Sequence, residues 1–298
     1  MNLVTVVRLS DVLKNLQGLI GSAILGTSKT YCEALMLIEQ IWTNNAWRNF
    51  NYLIACPETG DALAIDPLNY QQCLDVASDR GWKITKILNT HEHHDHIEGN
   101  KPLVEATGAM LLAHTGAADT IADIDMPLSG GEVISLGTSV ELEVVDTPGH
   151  TMSHVCLLSK TQVPVLFSGD TLFNAGAGNC HGGGHPEALY NTFANIFSKL
   201  PDSTQIYPGH DYIVNNLRFT LDREPSNTYA AELLDRVISQ DPNNPLITTI
   251  AMEKKINCFM RLDNPEIIAN LRLAVADFPD QPSAKDIFLS LRALRNQW

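Results

Sequence analysis

The hexapeptide HEHHDH sets four metal-ligating side chains, His91, His93, Asp95 and His96, in an H-x-H-x-D-H array. Imidazole and carboxylate suit zinc and neighbouring first-row ions, and a loop can turn alternate side chains toward two different centres. The array directly follows the apolar run KITKIL, which reads as a strand, so the donors sit in a loop at a strand end. One such array cannot complete two sites. Further donors must arrive from distant parts of the chain, and only a fold that brings several strand ends to one edge can deliver them. Three other strand-like runs end suitably: SVELEVVDTPGH at His150, PVLFSGD at Asp170 and IYPGHDY just past His210.

The rest of the chain supplies the elements such an edge needs. LIEQIW, NYLIAC and ALAID are short, rich in branched and aromatic residues and separated by Asn, Gly or Pro, the pattern of an antiparallel meander. A helix is predicted over YQQCLDVASDRGW and another near residues 100–107, with strands at AMLLAH, EVISL and HVCLLS. Beyond residue 211 helical patterns dominate, with Asn227, Asn264 and Ser283 as N-caps and Pro265 at a first helical position. The expected organisation is an N-terminal extension over 1–35, a catalytic domain over 36–210 and a C-terminal helical, substrate-binding region over 211–298. The extension is a poor signal peptide, because Gln17 and three glycines interrupt LQGLIGSAILG and Asp11 lies upstream. Met36, just before LIEQIW, offers a second place for the chain to start.

Composition removes some partners. A formal net charge of -14 disfavours nucleic acid and anionic lipid, and no apolar run reaches the roughly 18 to 20 residues needed to span a bilayer. Six cysteines are scattered without CxxC pairing, which fits free thiols in a reducing compartment and makes the cytoplasm the expected location.

The order H-x-H-x-D-H, PGH, GD, GH resembles the metallo-β-lactamase superfamily over about residues 37–211. GDTLFNAGAG, GHDYIVNNLRFTLDREPSN and LRALRNQW are similar to one branch of it, the glyoxalase II or hydroxyacylglutathione hydrolase family, over nearly the whole chain from Met36. The resemblance implies an α/β fold, an αββα sandwich with a C-terminal helical layer, and two divalent metal ions at one edge. His91, His93 and His150 would hold one ion, Asp95, His96 and His210 the other, with Asp170 bridging. Zinc is the default for these ligands, and iron and manganese also suit them. The implied reaction cleaves S-(2-hydroxyacyl)glutathione, of the S-D-lactoylglutathione type, to a hydroxy acid and a free thiol. A metal-bridging hydroxide attacks, with Asp95 and Asp170 as the catalytic carboxylates. A thiol leaving group with a pKa of about 8.5 demands no dedicated general acid.

The loop GAGNCHGGGHPEA, residues 176–188, supplies neither a GK[ST] nor a G-x-G-x-x-G phosphate cradle. Its adjacent Cys180 and His181 are not spaced like a zinc motif, and the ligand set is complete without them. The loop is therefore expected at the rim of the substrate pocket, where its triple glycine lets a substrate backbone approach closely. Animal-type glyoxalase II enzymes carry a Lys and an aromatic residue where this chain has Asn179 and His181. Tyr212 and Arg295 match the family, and Arg292 is a compensating cation. Asn179, His181, Tyr212, Arg292 and Arg295 are thus the candidate substrate-binding residues. The expected partner is a small thioester linked to glutathione, and a different thiol carrier is equally compatible. His94, His114, His154 and Asp146 are expected outside the ligand set, in packing or in outer hydrogen bonds. Two alternatives stay open: an iron-dependent persulfide dioxygenase, whose usual G-R-x-D-F signature is missing here, and a lactonase or thioesterase acting on a non-glutathione substrate.

Overall fold

Period-two alternation along each strand decides how this chain layers. The computed structural model describes residues 36–298, so the expected extension over 1–35 lies outside the described residues. Strands β1 (Leu37–Trp42), β2 (Phe50–Ala55) and β3 (Asp61–Ile65) form the antiparallel meander read from the sequence. Strands β4 (Lys83–Leu88), β5 (Met110–His114) and β6 (Met126–Leu128) extend the sheet in parallel. Parallel neighbours need long crossovers. Helix α1 (Tyr70–Arg80) provides the first, and α2 (His94–Ile97) with α3 (Asn100–Thr107) the second.

The second sheet begins with β7 (Val133–Leu136), β8 (Val140–Asp146), β9 (Val155–Ser159) and β10 (Val165–Gly169), antiparallel in succession. A small hairpin, β11 (Leu172–Phe173) and β12 (Gly176–Ala177), leaves its edge. After α4 (Pro186–Asn195), strand β13 (Gln205–Pro208) pairs parallel with β10. Helices α5 (Ile213–Arg223) and α6 (Thr228–Val237) follow. Strand β14 (Thr248–Thr249) then adds antiparallel to β13, before α7 (Ile250–Ile256), α8 (Pro265–Ala274) and α9 (Ala284–Arg295). Helical patterns dominate the sequence beyond residue 211, and β14 leaves no mark among them. A two-residue strand is too short for its period to register.

Alternation puts Phe50, Tyr52 and Ile54 on the inner face of the first sheet, against Leu142, Val144, Leu157 and Phe167 of the second. The intervening Leu53 and Ala55 point outward, where they pack with Cys73, Ala77 and Leu103 of α1 and α3. On the far side, Cys156, Leu166 and Ile206 of the second sheet meet Leu189 and Phe193 of α4 and Phe288 and Leu291 of α9. The result is the expected αββα sandwich with a C-terminal helical layer. Phe50, Phe167, Phe197, Phe219, Phe259 and Phe288 are fully buried, each stabilising the fold by about 1.5–3 kcal/mol.

The helical layer is capped as its sequence indicates. Asn227 accepts from the Ala230 amide, Asn264 from Glu266 and Ile267, and Ser283 forms a capping box with Asp286, each cap worth about 1 kcal/mol. No helix among the described residues is long and apolar enough to cross a membrane.

Candidate metal centre

Four strands end at one edge of the sandwich and each hands a donor to it. His91 and His93 follow β4, with Asp95 and His96 on the short α2; His150 follows β8, Asp170 follows β10 and His210 follows β13. The parallel pairing of β10 with β13 sets Asp170 and His210 side by side. Gly169 makes the last step possible. Its φ of +47° is left-handed, and a Cβ there would stand 2.6 Å from His154 Nε2 and 2.7 Å from Thr90 Oγ1.

The donors gather in two groups. His93 Nδ1 lies 3.0 Å from His91 Nε2 and 2.9 Å from His150 Nε2. His96 Nε2 and His210 Nε2 are 3.2 Å apart, and Asp95 Oδ2 lies 3.7 Å from the first and 3.5 Å from the second. Asp170 stands between the groups: its Oδ2 is 3.5 Å from His150 Nε2 and 3.1 Å from His210 Nε2, and its Oδ1 is 3.5 Å from His96 Nε2. These are the seven residues picked out in the sequence.

The opposite nitrogen of each ring fixes its tautomer. His150 Nδ1 donates to the Asn179 carbonyl at 2.7 Å, His93 Nε2 to the Gly182 carbonyl at 2.8 Å and His210 Nδ1 to the Trp47 carbonyl at 2.7 Å. His96 Nδ1 donates to Asp66 Oδ2 at 2.9 Å. Thr90 gives its hydroxyl proton to that same oxygen, so it accepts from His91 Nδ1 at 3.0 Å. In its neutral form each ring keeps one lone pair, and all five of those nitrogens face the two groups. Asp66 also clusters with His91 and His96, but its carboxylate binds the Thr90 amide and hydroxyl as well as the far side of the His96 ring. It orients the candidate donors from behind.

Such a site suits divalent cations. The nitrogens of five rings and two carboxylates converge at 3 to 4 Å, a crowding that positive charge between them would relieve, and Asp170 Oδ1 is buried with no hydrogen-bond partner. Burial, against the pull of Asp170, lowers the His150 imidazole to about 4 and holds His91 well below the ordinary range. Both therefore offer lone pairs at neutral pH. Burial would lower His96 too, but Asp170 and Asp66 outweigh it and raise it, so a cation binding there displaces a proton.

Comparison with known proteins agrees with this geometry. The family model described as Metallo-beta-lactamase superfamily matches residues 52–210, and that described as Hydroxyacylglutathione hydrolase C-terminus matches residues 211–298. A protein named Hydroxyacylglutathione hydrolase from Polaromonas sp. (strain JS666 / ATCC BAA-500) is 58% identical over 263 residues, spanning 88% of this chain and 100% of the relative. One of the same name from Nitrosococcus oceani is 59% identical over the same spans. The chain belongs to the hydroxyacylglutathione hydrolase family of the metallo-beta-lactamase superfamily. The crystal structure of ETHE1 from Myxococcus xanthus shares the fold, with a TM-score of 0.61 and 24% identity over 87% of this chain and 98% of that one.

Within this hydrolase family framework the candidate substrate residues divide. Asn179 and His181 are exposed on the glycine-rich loop, and Tyr212 is half-buried, stacked on His210 with ring centroids 4.8 Å apart. Arg295 is half-buried and donates to Asn216 Oδ1 at 3.3 Å. Arg292 departs from the expectation. It is 4% exposed, and its Nη1 donates to the carbonyls of Ala177 and Gly178 at 2.7 and 2.9 Å. It holds the loop in place instead of presenting a cation to a pocket. Asp146 does not reach a ligand either; it lies 3.6 Å from His114. A cavity of about 600 Å³ lined by Phe193, Phe259, Ile268 and Ile287 contains none of the donors, so it is not the reaction site.

Sequence reasoning missed several supporting residues. Asn49, 1% exposed, donates from Nδ2 to both the carbonyl and Oδ2 of Asp95 at 3.1 Å. Trp47, Asp66 and Thr90 carry no signal of their own, because their roles depend on partners far along the chain. His154 was expected in packing or an outer hydrogen bond. It accepts from the Asp170 amide at 3.1 Å.

Proposed function

We propose that this protein is a dinuclear metal-dependent thioester hydrolase that cleaves S-(2-hydroxyacyl)glutathione of the S-D-lactoylglutathione type to a hydroxy acid and free glutathione. The observation that carries the reading is the convergence of seven donors into two groups joined by Asp170, in a chain 58–59% identical to relatives of that name. His91, His93 and His150 would hold one ion, Asp95, His96 and His210 the other, and Asp170 both. Zinc is the metal best matched to this nitrogen-rich set. Two divalent ions there would acidify a water and polarise the acyl carbonyl.

The chain's own residues do the rest. Asn49 pins the Asp95 carboxylate, so Asp95 can orient the attacking water while it serves as a ligand. Asn179 and His181 stand exposed where a thiol carrier can lie, and the Tyr212 ring borders His210. The thiol leaves without a protonating acid, its pKa being about 8.5. On this reading residues 36–210 carry the chemistry and 211–298 support substrate binding. Cys56, Cys73, Cys156, Cys180 and Cys258 are free thiols, which supports a cytoplasmic location.

The test is a panel of thioesters that varies the thiol, run on purified protein of measured metal content. Two ions per chain and preferential cleavage of S-D-lactoylglutathione are expected. Fewer than two ions together with no thioester hydrolysis would overturn the reading.

A further inference from the structure

The glycine-rich loop is gripped from two sides. On one side the C-terminal layer holds its base: Asn216 Nδ2 donates to the Asn174 carbonyl at 3.0 Å, Glu253 accepts from the Ala175 amide at 2.9 Å, and Asn257 Nδ2 donates to the Gly176 carbonyl at 3.1 Å. Arg292 of α9 then takes the carbonyls of Ala177 and Gly178. On the other side, the next free carbonyls accept from metal-site imidazoles, Asn179 from His150 and Gly182 from His93. The approach is close. A Cβ at residue 182 would stand 2.4 Å from His93 Nε2, and one at 184 would stand 2.2 Å from the carbonyl oxygens of Gly149 and His150. The imidazoles of the other group lean elsewhere, His96 on Asp66 and His210 on Trp47, and the strap meets that group only at the shared Asp170, where a Cβ at residue 178 would stand 1.9 Å from the Asp170 carbonyl oxygen.

We propose that residues 174–184 form a positioning strap that acts first on one metal site. The strap carries the hold of Arg292 to His93 and His150, and it couples the ion of His91, His93 and His150 to whatever binds the exposed Asn179 and His181. A molecule that steadies the strap keeps both carbonyls aimed at their imidazoles, so it tightens that ion. By linkage the ion tightens the molecule by the same factor. The ion of Asp95, His96 and His210 would feel the strap only through the shared Asp170. Positioning follows from the hydrogen bonds alone; the coupling also rests on the thiol carrier lying on the strap, as proposed above.

The test follows metal release from the two-ion holoenzyme into a chromophoric chelator. The added ligand is S-methylglutathione, a thioether that offers the tripeptide without a cleavable acyl group. In the unaltered protein one ion should leave more slowly when S-methylglutathione is bound, and the other should change less. Gly182→Ala should weaken one ion by about 10–100-fold, the usual effect of losing an outer hydrogen-bond partner of a metal-bound histidine, and weaken the second ion less. Arg292→Gln frees the strap from α9 without touching a ligand and should act in the same direction. It also serves if Gly182→Ala does not fold, as judged by circular dichroism. Wild-type retention of both ions in the folded variants would overturn positioning. Bound S-methylglutathione that leaves both release rates unchanged would overturn the coupling. Weakened metal in Gly182→Ala without any binding of S-methylglutathione would instead remove the glutathione reading and leave positioning standing.

Discussion

His154 shows how a residue with no ion to hold can still shape the centre. Burial keeps its imidazole well below the ordinary range, so the ring is neutral. Nε2 accepts from the Asp170 amide, and Nδ1 faces Thr147 Oγ1 at 2.8 Å. The Asp170 carboxylate is thereby aimed through its own backbone. His181 is the opposite case, exposed and free of structural duties for its ring. His181→Ala should leave stability within about 0.5 kcal/mol of the parent, as exposed substitutions do. It should lower kcat/KM for glutathione thioesters about tenfold, the worth of one hydrogen bond in a recognition site, and spare thioesters of simple thiols. Steady-state kinetics across such substrates checks this; an unchanged ratio would remove His181 from specificity.

At the scale of elements, the centre depends on how strands end. The pairing of β10 with β13 shifts register between Phe167 and Gly169, and the left-handed turn at Gly169 delivers Asp170 into the edge. Any larger residue must adopt that turn and also press on Thr90 and His154. Gly169→Ala should therefore cost about 2–4 kcal/mol, the left-handed penalty plus overpacking. Urea unfolding of the metal-free protein measures it, and a loss under 1 kcal/mol would mean that the strand end relaxes freely. The glycine is plain in the sequence as part of SGD, but nothing local reveals that its neighbours come from two other loops.

For the molecule as a whole, Glu253 ties the sheet to the helical layer. It is fully buried on α7 and bonds Thr248 of β14, Asn257 and the Ala175 amide beside β12. Burial pushes its carboxyl from an ordinary 4.5 up to about 7. The native state keeps the proton while the unfolded chain has already lost it, so the contribution to stability is fully present below about 4.5. It is lost as pH rises through about 7. The loss is on the order of 3 kcal/mol. Glu253→Gln keeps the shape and the hydrogen bonds but cannot ionise, so its stability should fall less than the parent's between pH 5 and pH 8. Urea midpoints across that range would show equal slopes if the carboxyl did not titrate as described.

By itself the sequence marked the candidate donors, their order along the chain and the strand ends that carry them. It also marked the helix caps at Asn227, Asn264 and Ser283, because ligand spacing, period and capping are local properties that neighbouring residues share. Tertiary structure alone decided which nitrogen of each histidine faces the centre. It also brought Trp47 to His210 and Asn49 to Asp95, and made Arg292 a brace for the loop rather than a substrate contact. Those partners stand 163, 46 and 115 residues apart. A hydrogen bond over such a distance depends on where two sheets and a helical layer come to rest, and no pattern in either short stretch records it.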